Sequence, residues 1–353
     1  MLARTLTVRV SRRMLMTTDV TAFELVHPWG RALPGYRAGA HIDVYLPGGF
    51  MRQYSLAQAP VPAPAGPGAP DPGCARYVIG VKREPSGRGG SASLHERVQE
   101  GDLLAISTPR NTFPLHPEAR HHLLLAGGIG LTPLLAMAQQ LAREGGAFTL
   151  CVFARSREHL AFAEELVALG PNVRRHFDEP ADPVAGSPAQ RLDIAELLRR
   201  AEPGTHLYLC GPAGFMRAVL DAAAQCHWPE AQVHLEYFAP PAADAVGLDE
   251  PFTLVIAGRG IELPVAADQS AVDALHDIGI DVPTSCSQGV CGTCVVPLAA
   301  DETAGGMGAT GATSAMSEPD HRDHCLTATE RRAKVALCCS RARAGGRLVV
   351  ALA

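Results

Sequence analysis

The sequence predicts a multidomain chain: an antiparallel β-barrel, then an α/β parallel-sheet domain, then a smaller α+β domain. Three observations support this division. Short alternating strands separated by turn residues fill the first third, and strands alternate with amphipathic helices in the middle third. The last third surrounds a loop rich in cysteine and glycine. With 353 residues, the chain is long enough to bury a core in each part.

The composition excludes several classes of function. The formal net charge of −5 gives no sign of nucleic-acid binding and suits a soluble protein that meets other proteins. No apolar run approaches the length of a membrane span, and the N-terminal segment lacks the apolar region of a signal peptide. Apart from a group near the C-terminus, the ten cysteines show no pairing pattern, as expected of reduced thiols. We therefore predict a cytoplasmic protein.

The barrel is predicted over residues 1–117. Its strands are read from the alternating segments LTVRV, AFELVHP, HIDVYLP, RQYSLA, RYVIGVKRE and LLAIS, and one helix, SASLHERV, follows the turn GRGG. A Pro/Gly-rich stretch within 57–73 interrupts the pattern and is interpreted as a surface insertion too irregular to pack.

The parallel sheet is predicted over residues 118–238. Apolar strands such as HLLLA, FTLCVFA and THLYLC are followed by amphipathic helices, so helices should cover both faces of the sheet. Such sheets bind ligands at the carboxyl ends of their strands. Small residues at 239–250 form a linker to the last domain, 251–353, which contains a low-complexity insertion at 300–319.

Three cysteines, Cys286, Cys291 and Cys294, stand at C-x4-C-x2-C spacing with glycines between them. This is the spacing of the plant-type ferredoxin loop, whose thiolates hold a 2Fe-2S cluster. The fourth thiolate must come from the segment VALCCSRAR on a predicted strand, and the order of residues around the last ferredoxin ligand favours Cys339. A structural zinc site or a disulfide framework is the alternative reading of these spacings.

The strand containing Arg52, Gln53, Tyr54 and Ser55 offers groups suited to a flavin. A guanidinium presents a fork of donors to a phosphate, a tyrosine can lie against the ring system, and a serine hydroxyl can reach a polar ring atom. By itself, a Tyr-Ser pair on a strand is usually only strand. The glycine-rich turn at residues 87–91 opens a helix and is either a phosphate site or an exposed turn.

Two strand-to-helix turns in the middle domain are candidates for nucleotide binding. Residues 127–133, GGIGLTP, do not spell G-x-G-x-x-G, and residues 210–212, CGP, repeat the strand-turn-helix arrangement. Ordinary βα turns, with Cys210 as a small buried residue, are the alternative. Asp178 favours a free ribose hydroxyl and NADH, whereas Arg155 beside Ser156 could accept the extra phosphate of NADPH.

Taken in order, these blocks resemble the phthalate dioxygenase reductase family, which are flavin-dependent reductases of bacterial oxygenases and include reductases like that of vanillate demethylase. The resemblance covers nearly the whole chain. It implies an FMN-binding barrel at 1–117, an NADH-binding domain at 118–238, and a plant-type 2Fe-2S ferredoxin domain of β-grasp type at 251–353.

The resemblance also implies site residues. Thr132 would meet the nicotinamide, Cys210 would pack and orient beside it, and Phe238 of the terminal E-x-F segment would cover the flavin until nicotinamide displaces it. A core aromatic before a linker is the alternative for Phe238. The implied cofactor-binding residues are Arg52, Gln53, Tyr54, Ser55, Val81, Lys82, Arg83, Gly87, Gly89, Gly90, Ser91, Gly128, Gly130, Thr132, Pro133, Arg155, Ser156, Asp178, Cys210, Gly211, Pro212 and Phe238; the cluster ligands are Cys286, Cys291, Cys294 and Cys339.

The function implied is that of an NADH-dependent oxidoreductase that takes hydride onto FMN. Single electrons would then leave through the 2Fe-2S cluster to a separate terminal oxygenase of Rieske type, acting on an aromatic ring or as an O-demethylase. A haem monooxygenase as acceptor and a redox-sensing module without turnover are the alternatives. The gap between Cys294 and Cys339 is longer than in the family because of the insertion at 300–319. This insertion is expected to form a surface loop that leaves the cluster site intact. The family precedent is a monomer.

Overall fold

The computed structural model describes residues 5–63, 73–179, 191–240, 249–299, 318–343 and 345–352. The chain divides into two compact units, Ala3–Phe238 and Ala239–Ala353. The multidomain fold class predicted from the sequence is confirmed. Among the described residues, no helix has both the length and the apolar composition needed to cross a bilayer.

The first sheet is a nearly closed antiparallel barrel. Its strands follow the order β4-β3-β6-β1-β2-β5 with β7 beside β3, and a bridge between Leu56 and Ile79 links the two outer strands. Along β1, Val8 and Val10 are buried in the interior while Arg9 between them is exposed, as expected of a strand with one face buried. The elements are β1 (Thr5–Leu15), β2 (Val20–Val26), β3 (Ala40–Leu46), β4 (Phe50–Ser55), β5 (Tyr77–Lys82), α1 (Gly90–Arg97), β6 (Leu103–Ser107) and β7 (Arg110–Asn111).

The Pro/Gly-rich stretch is more ordered at its ends than the sequence predicts. Ala59 and Ala63 are buried, and Pro62 forms a bridge with Cys74. Backbone hydrogen bonds at this bridge give the proline-rich chain a partner, so the prediction that it does not pack is wrong for these residues. Residues 64–72 lie outside the described part of the chain.

The second sheet is fully parallel in the order β10-β9-β8-β11-β12. Helix α2 covers one face, and α4 and α5 cover the other. The face under α2 shares its core with the barrel, because Val20, Ala22 and Val78 lie in the same hydrophobic cluster as Leu134 and Leu135. The elements are β8 (His121–Gly127), α2 (Leu131–Glu144), β9 (Phe148–Ala154), α3 (Ala163–Ala168), β10 (Val173–Phe177), α4 (Ile194–Arg199), β11 (Thr205–Cys210), α5 (Ala213–Gln225) and β12 (Val233–Glu236).

The second unit is built on a three-stranded sheet, order β14-β13-β19, with two further strand pairs, β15 with β17 and β16 with β18. Helix α6 begins with a capping box between Ser270 and Asp273 and packs its buried face on this core. The predicted strand VALCCS is shorter than expected, since β17 ends at Ala336 and a turn follows. The elements are β13 (Phe252–Ile256), β14 (Ile261–Val265), α6 (Ala271–Asp277), β15 (Val295–Pro297), β16 (Pro319–Asp320), β17 (Lys334–Ala336), β18 (Arg341–Ala342) and β19 (Arg347–Val350).

Four histidines lie together at the amino end of the parallel sheet: His116, His122, His206 and His234. His206 Nδ1 is 2.9 Å from His234 Nε2, and His116 stacks on His206 with ring centroids 4.4 Å apart. The His234 ring also stacks on Tyr208, at 4.5 Å. Burial, and then the neighbouring imidazoles, lower the pKa of His234 to about 4 and also lower the pKa of His206. This cluster is therefore built for uncharged rings.

We expect the protein to lose stability as the pH falls from about 6.5 toward 4, because the unfolded histidines take up protons that the folded cluster resists. A His234→Phe variant, which keeps a ring against Tyr208, should lose less melting temperature over this range. Thermal unfolding of both proteins at several pH values measures the difference, and acid effects common to both cancel. Parallel melting curves for the two proteins would contradict a role for the cluster.

Candidate functional site

The predicted phosphate-binding groups come together between β4 and α1. The Arg52 guanidinium donates to the carbonyl oxygen of Arg88 at 2.9 Å, and a Cβ on Gly90 would lie 2.6 Å from the Arg52 side chain. Gly89 caps α1 with a left-handed backbone, φ 79°, which glycine adopts without strain. A fork of donors thus lies across the first turn of a helix, an arrangement suited to an anionic phosphate.

The neighbouring residues of β4 face opposite sides, as in any strand. The Ser55 side chain is buried. The Tyr54 hydroxyl is also withdrawn from solvent, and this burial raises the pKa of Tyr54 above its usual range. Within the described part of the chain, the buried Nε2 of Gln53 has no hydrogen-bond partner. An unpartnered buried donor on the strand that carries the R-x-Y-S sequence fits a site that a polar ligand completes.

The other predicted barrel residues already have partners within the barrel. Lys82 pairs with Glu84 at 2.7 Å and Arg83 with Glu96 at 2.5 Å, both near the surface. The side chain of Val81 is buried in the barrel, and its carbonyl oxygen lies 3.0 Å from His95 Nε2. Ser91 Oγ accepts the backbone N–H of Glu84 at 3.1 Å, which fixes the loop containing Gly87. These contacts order the loop around Arg52.

Two strand-to-helix turns touch at the carboxyl ends of β8 and β11. A Cβ on Gly130 would lie 2.3 Å from the carbonyl oxygen of Cys210, and one on Gly211 would lie 3.0 Å from the Cα of Gly127. Gly128, by contrast, is exposed, has φ +53° and has nothing within 4 Å of a Cβ position. The glycines therefore permit close packing on one side of the turn and leave open space on the other, where a nucleotide can approach.

A hydrogen bond joins the barrel motif to the end of β12. Ser55 Oγ donates to Glu236 Oε2 at 2.9 Å, and burial raises the pKa of this carboxyl to about 7, with the Ser55 hydrogen bond opposing part of the shift. The fully buried Cys210 thiol lies near the same carboxyl, and its pKa is raised by burial and by Glu236. Sequence reasoning missed Glu236 as a site residue, although it stands two positions before Phe238 in the E-x-F segment.

Thr132 and Phe238 are in different environments. The Thr132 side chain is buried, and its hydroxyl donates to the Ile129 carbonyl at 3.1 Å, so its methyl group faces the barrel at Gly80. Pro133 lies buried in the first turn of α2. Phe238, the last residue of the first unit, is 43% exposed.

The predicted ribose residues follow β9 and β10 at the same edge of the sheet. The Arg155 carbonyl accepts the backbone N–H of Glu179 at 2.8 Å, which brings the two loops together. Ser156 Oγ is 2.8 Å from His159 Nδ1, and the exposed carboxylate of Asp178 pairs with His176 at 3.2 Å. Pro212 is the residue before α5 at the adjacent strand end.

The cysteine loop of the second unit brings its thiols together. Side-chain hydrogen bonds link Cys286 to Cys291 and to Cys338, and Cys338 to Cys294. The backbone N–H of Gln288 also donates to Cys286 Sγ at 3.3 Å. All ten cysteines are free thiols, so the disulfide alternative is not what the fold contains. Convergent thiols with backbone donors to sulfur fit a 2Fe-2S cluster.

The two adjacent cysteines differ in their contacts: the Cys338 thiol interacts with those of Cys286 and Cys294, whereas the sequence prediction names Cys339 as the fourth ligand. The two residues lie in the turn after β17, where consecutive side chains point in different directions. Cys339 Sγ lies 3.9 Å from the Ala336 carbonyl oxygen, and it would be 2.6 Å from a Cβ on Gly289. The Cys339 side chain thus occupies the space beside Gly289, whose φ is +74°, and Cys338 bridges the loop thiols.

Comparisons with known proteins agree with this arrangement. Residues 107–233 match the family described as dimethylamine monooxygenase subunit DmmA-like, N-terminal domain, and residues 254–343 match the 2Fe-2S iron-sulfur cluster binding domain. The chain is 42% identical over 339 residues to a vanillate O-demethylase oxidoreductase of Pseudomonas sp. (strain HR199 / DSM 7063), covering 95% of this chain and 96% of that protein. It is also similar to the solved phthalate dioxygenase reductase, with 34% identity, a TM-score of 0.65 and coverage of 99% and 98%.

The chain belongs to the phthalate dioxygenase reductase family. It is therefore an oxidoreductase, the reductase component of an oxygenase system, with pyridine nucleotide, FMN and a 2Fe-2S cluster as the cofactors of the family. A type IV self-sufficient cytochrome P450 monooxygenase is also similar in structure, with 33% identity and a TM-score of 0.78. The match covers 98% of the present chain and 41% of that longer chain.

Proposed function

We propose that this reductase accepts hydride from NADH at the junction of barrel and parallel sheet and delivers single electrons to a separate Rieske-type oxygenase or O-demethylase of an aromatic compound. The proposal rests on the Ser55–Glu236 hydrogen bond of 2.9 Å, which joins the flavin-type strand to the end of the nucleotide sheet. When bound, FMN supplies the exchange between a two-electron donor and a one-electron acceptor.

Each part of the chain has an assigned task. Arg52 and the turn at 87–91 bind the phosphate of the flavin, and Tyr54 and Ser55 orient its ring. The open side of Gly128 admits the nicotinamide. The Asp178 carboxylate accepts hydrogen bonds from the ribose hydroxyls and so favours NADH over NADPH. The cluster is held by the thiolates of Cys286, Cys291, Cys294 and Cys338, which converge in the second unit.

An anaerobic titration tests the electron path. NADH should bleach the flavin and the cluster absorbance of the purified protein together, and NADPH should do so less well. Adding an aromatic-ring oxygenase should then restore both bands as electrons leave. A cluster band unchanged by NADH would overturn the proposal, because electrons would not reach the exit group.

A haem monooxygenase is the second candidate acceptor. It is supported by the similarity to the cytochrome P450 monooxygenase in which a related chain forms part of a longer protein. Oxidation of the NADH-reduced protein by a Rieske oxygenase and by a cytochrome P450, compared in stopped flow, distinguishes the two. We further propose that the reductase is a cytoplasmic monomer. Light scattering of the purified protein tests the monomeric state.

A Glu236→Gln variant should change how flavin reduction depends on pH. The buried carboxyl has a raised pKa of about 7, so it becomes charged as the pH rises through neutrality and then disfavours added negative charge nearby. We expect the wild-type rate of NADH-driven flavin reduction to fall above about pH 7, and the Gln variant, which stays neutral and can still accept from Ser55, to keep its rate. Identical pH profiles for the two proteins, measured by stopped-flow absorbance, would exclude this role.

A further inference from the structure

Phe162 has a backbone conformation that is unfavourable for its residue type. Its φ of 57° lies in the left-handed region, and its side chain is 1% exposed. The sequence predicts an amphipathic helix after the strand FTLCVFA, but the structure has a short 3-10 turn at Arg157–His159 and then α3, with Phe162 between them. A bulky residue remains in this region only when its surroundings hold it there, and such strain is often associated with function.

The ring of Phe162 reaches across to the barrel and meets β5 at Gly80. A Cβ on Gly80 would lie 2.9 Å from Phe162 Cε2, 3.0 Å from its Cζ and 2.8 Å from Thr132 Cγ2. The backbone of β5, the first turn of α2 and the aromatic ring therefore meet at one point with no room for a side chain. Replacing a Cα hydrogen of Gly80 with a methyl group would force the β5 backbone, the first turn of α2 or the Phe162 ring to move.

This point of contact lies between the two halves of the proposed hydride path. Gly80 directly precedes Val81 and Lys82 on the strand predicted to contact the flavin, and Thr132 belongs to the turn predicted to meet the nicotinamide. The neighbours Leu160 and Ala161 are also buried, in the core that barrel and sheet share. The contact therefore determines how closely β5 approaches the Gly-rich turn.

We propose that Phe162 is a positioning residue, whose ring and the methyl group of Thr132 hold β5 at a fixed separation from the turn that includes Gly128–Gly130. The inference rests on the proposed function, since the separation matters because hydride transfer depends steeply on distance. The strained backbone at Phe162 is then the means by which the loop before α3 places a ring at Gly80 instead of continuing a helix.

The test is a set of variants at this contact. Gly80→Ala should slow flavin reduction at saturating NADH, on the order of 10²-fold for a displacement near 1 Å. NADH affinity and the rate of reduction by dithionite should change little. An equilibrium readout is the long-wavelength charge-transfer absorbance when the dithionite-reduced protein is titrated with NAD⁺, and this band should weaken. Adding Phe162→Leu to Gly80→Ala should restore part of both, because the smaller side chain makes room for the methyl group.

A buried valine elsewhere in the barrel provides the control for stability. Val8→Ala in β1 removes volume from the barrel interior and lowers the melting temperature, but Val8 belongs to a different hydrophobic cluster from Phe162 and is not among the nearest atoms to a Cβ on Gly80. Its charge-transfer band and flavin reduction should match those of the wild type. Normal kinetics and band in Gly80→Ala, or a loss that follows melting temperature alone in both variants, would overturn the inference. A wild-type protein that NADH cannot reduce would instead overturn the proposed function.

Discussion

Replacing Cys338 with alanine should abolish the 2Fe-2S cluster while leaving flavin reduction by NADH intact. The thiol of Cys338 contacts those of Cys286 and Cys294, and its removal leaves three thiolates for an iron pair that needs four. The iron content should fall from about two atoms per chain toward zero, and the rhombic paramagnetic signal after dithionite should disappear. Metal analysis and low-temperature EPR measure both, and cytochrome c reduction should fall with them.

Cys339→Ala is the matched control, since it removes a thiol one position along the same turn. Cys339 Sγ lies against the Ala336 carbonyl and beside Gly289, so its loss should leave the cluster in place with at most a modest loss of stability. The opposite result, loss of the signal in Cys339→Ala and retention in Cys338→Ala, would restore the assignment made from the sequence.

These two cysteines show where sequence reasoning reaches its limit. The C-x4-C-x2-C spacing identifies the loop, because three ligands from one segment require that spacing. Two adjacent cysteines at the remote position share the same local sequence pattern, and only the turn after Ala336 decides which side chain faces the loop. A strand was the reasonable expectation for VALCCS, but β17 ends two residues before Cys338.

The same distinction applies to the first unit. The alternation of apolar residues predicted both the barrel and the parallel sheet, since periodicity follows directly from which faces are buried. Glu236 carries no such signal: its importance comes from the contact with Ser55, which lies 181 positions earlier in the chain. The helix break at Phe162 also depends on a distant partner, Gly80. Local propensity alone favours a continuous helix there, because it does not include this contact.

Gly130→Ala should have the largest effect on the nucleotide side of the molecule. Gly130 has an ordinary backbone φ of −60°, so its replacement is prevented by space and not by conformation. A Cβ would lie 2.3 Å from the Cys210 carbonyl oxygen and 2.6 Å from the Gly211 nitrogen, and both are backbone atoms that cannot move aside as a flexible side chain can. The turn and the end of β11 must separate, at a cost of about 3 kcal/mol in the free energy of unfolding.

Separation of these two turns also displaces the surfaces that would hold the nicotinamide. We expect NADH-driven flavin reduction to fall on the order of 10²-fold, while dithionite still reduces both flavin and cluster. Gly214→Ala is the matched control: nothing lies within 4 Å of its Cβ position, and an alanine inside α5 should stabilise by up to about 1 kcal/mol. Equal loss of NADH-driven reduction in both variants would show that the close contact of Gly130 with Cys210 does not control this step. Urea unfolding and stopped-flow absorbance, measured on the same preparations, separate the stability effect from the kinetic one.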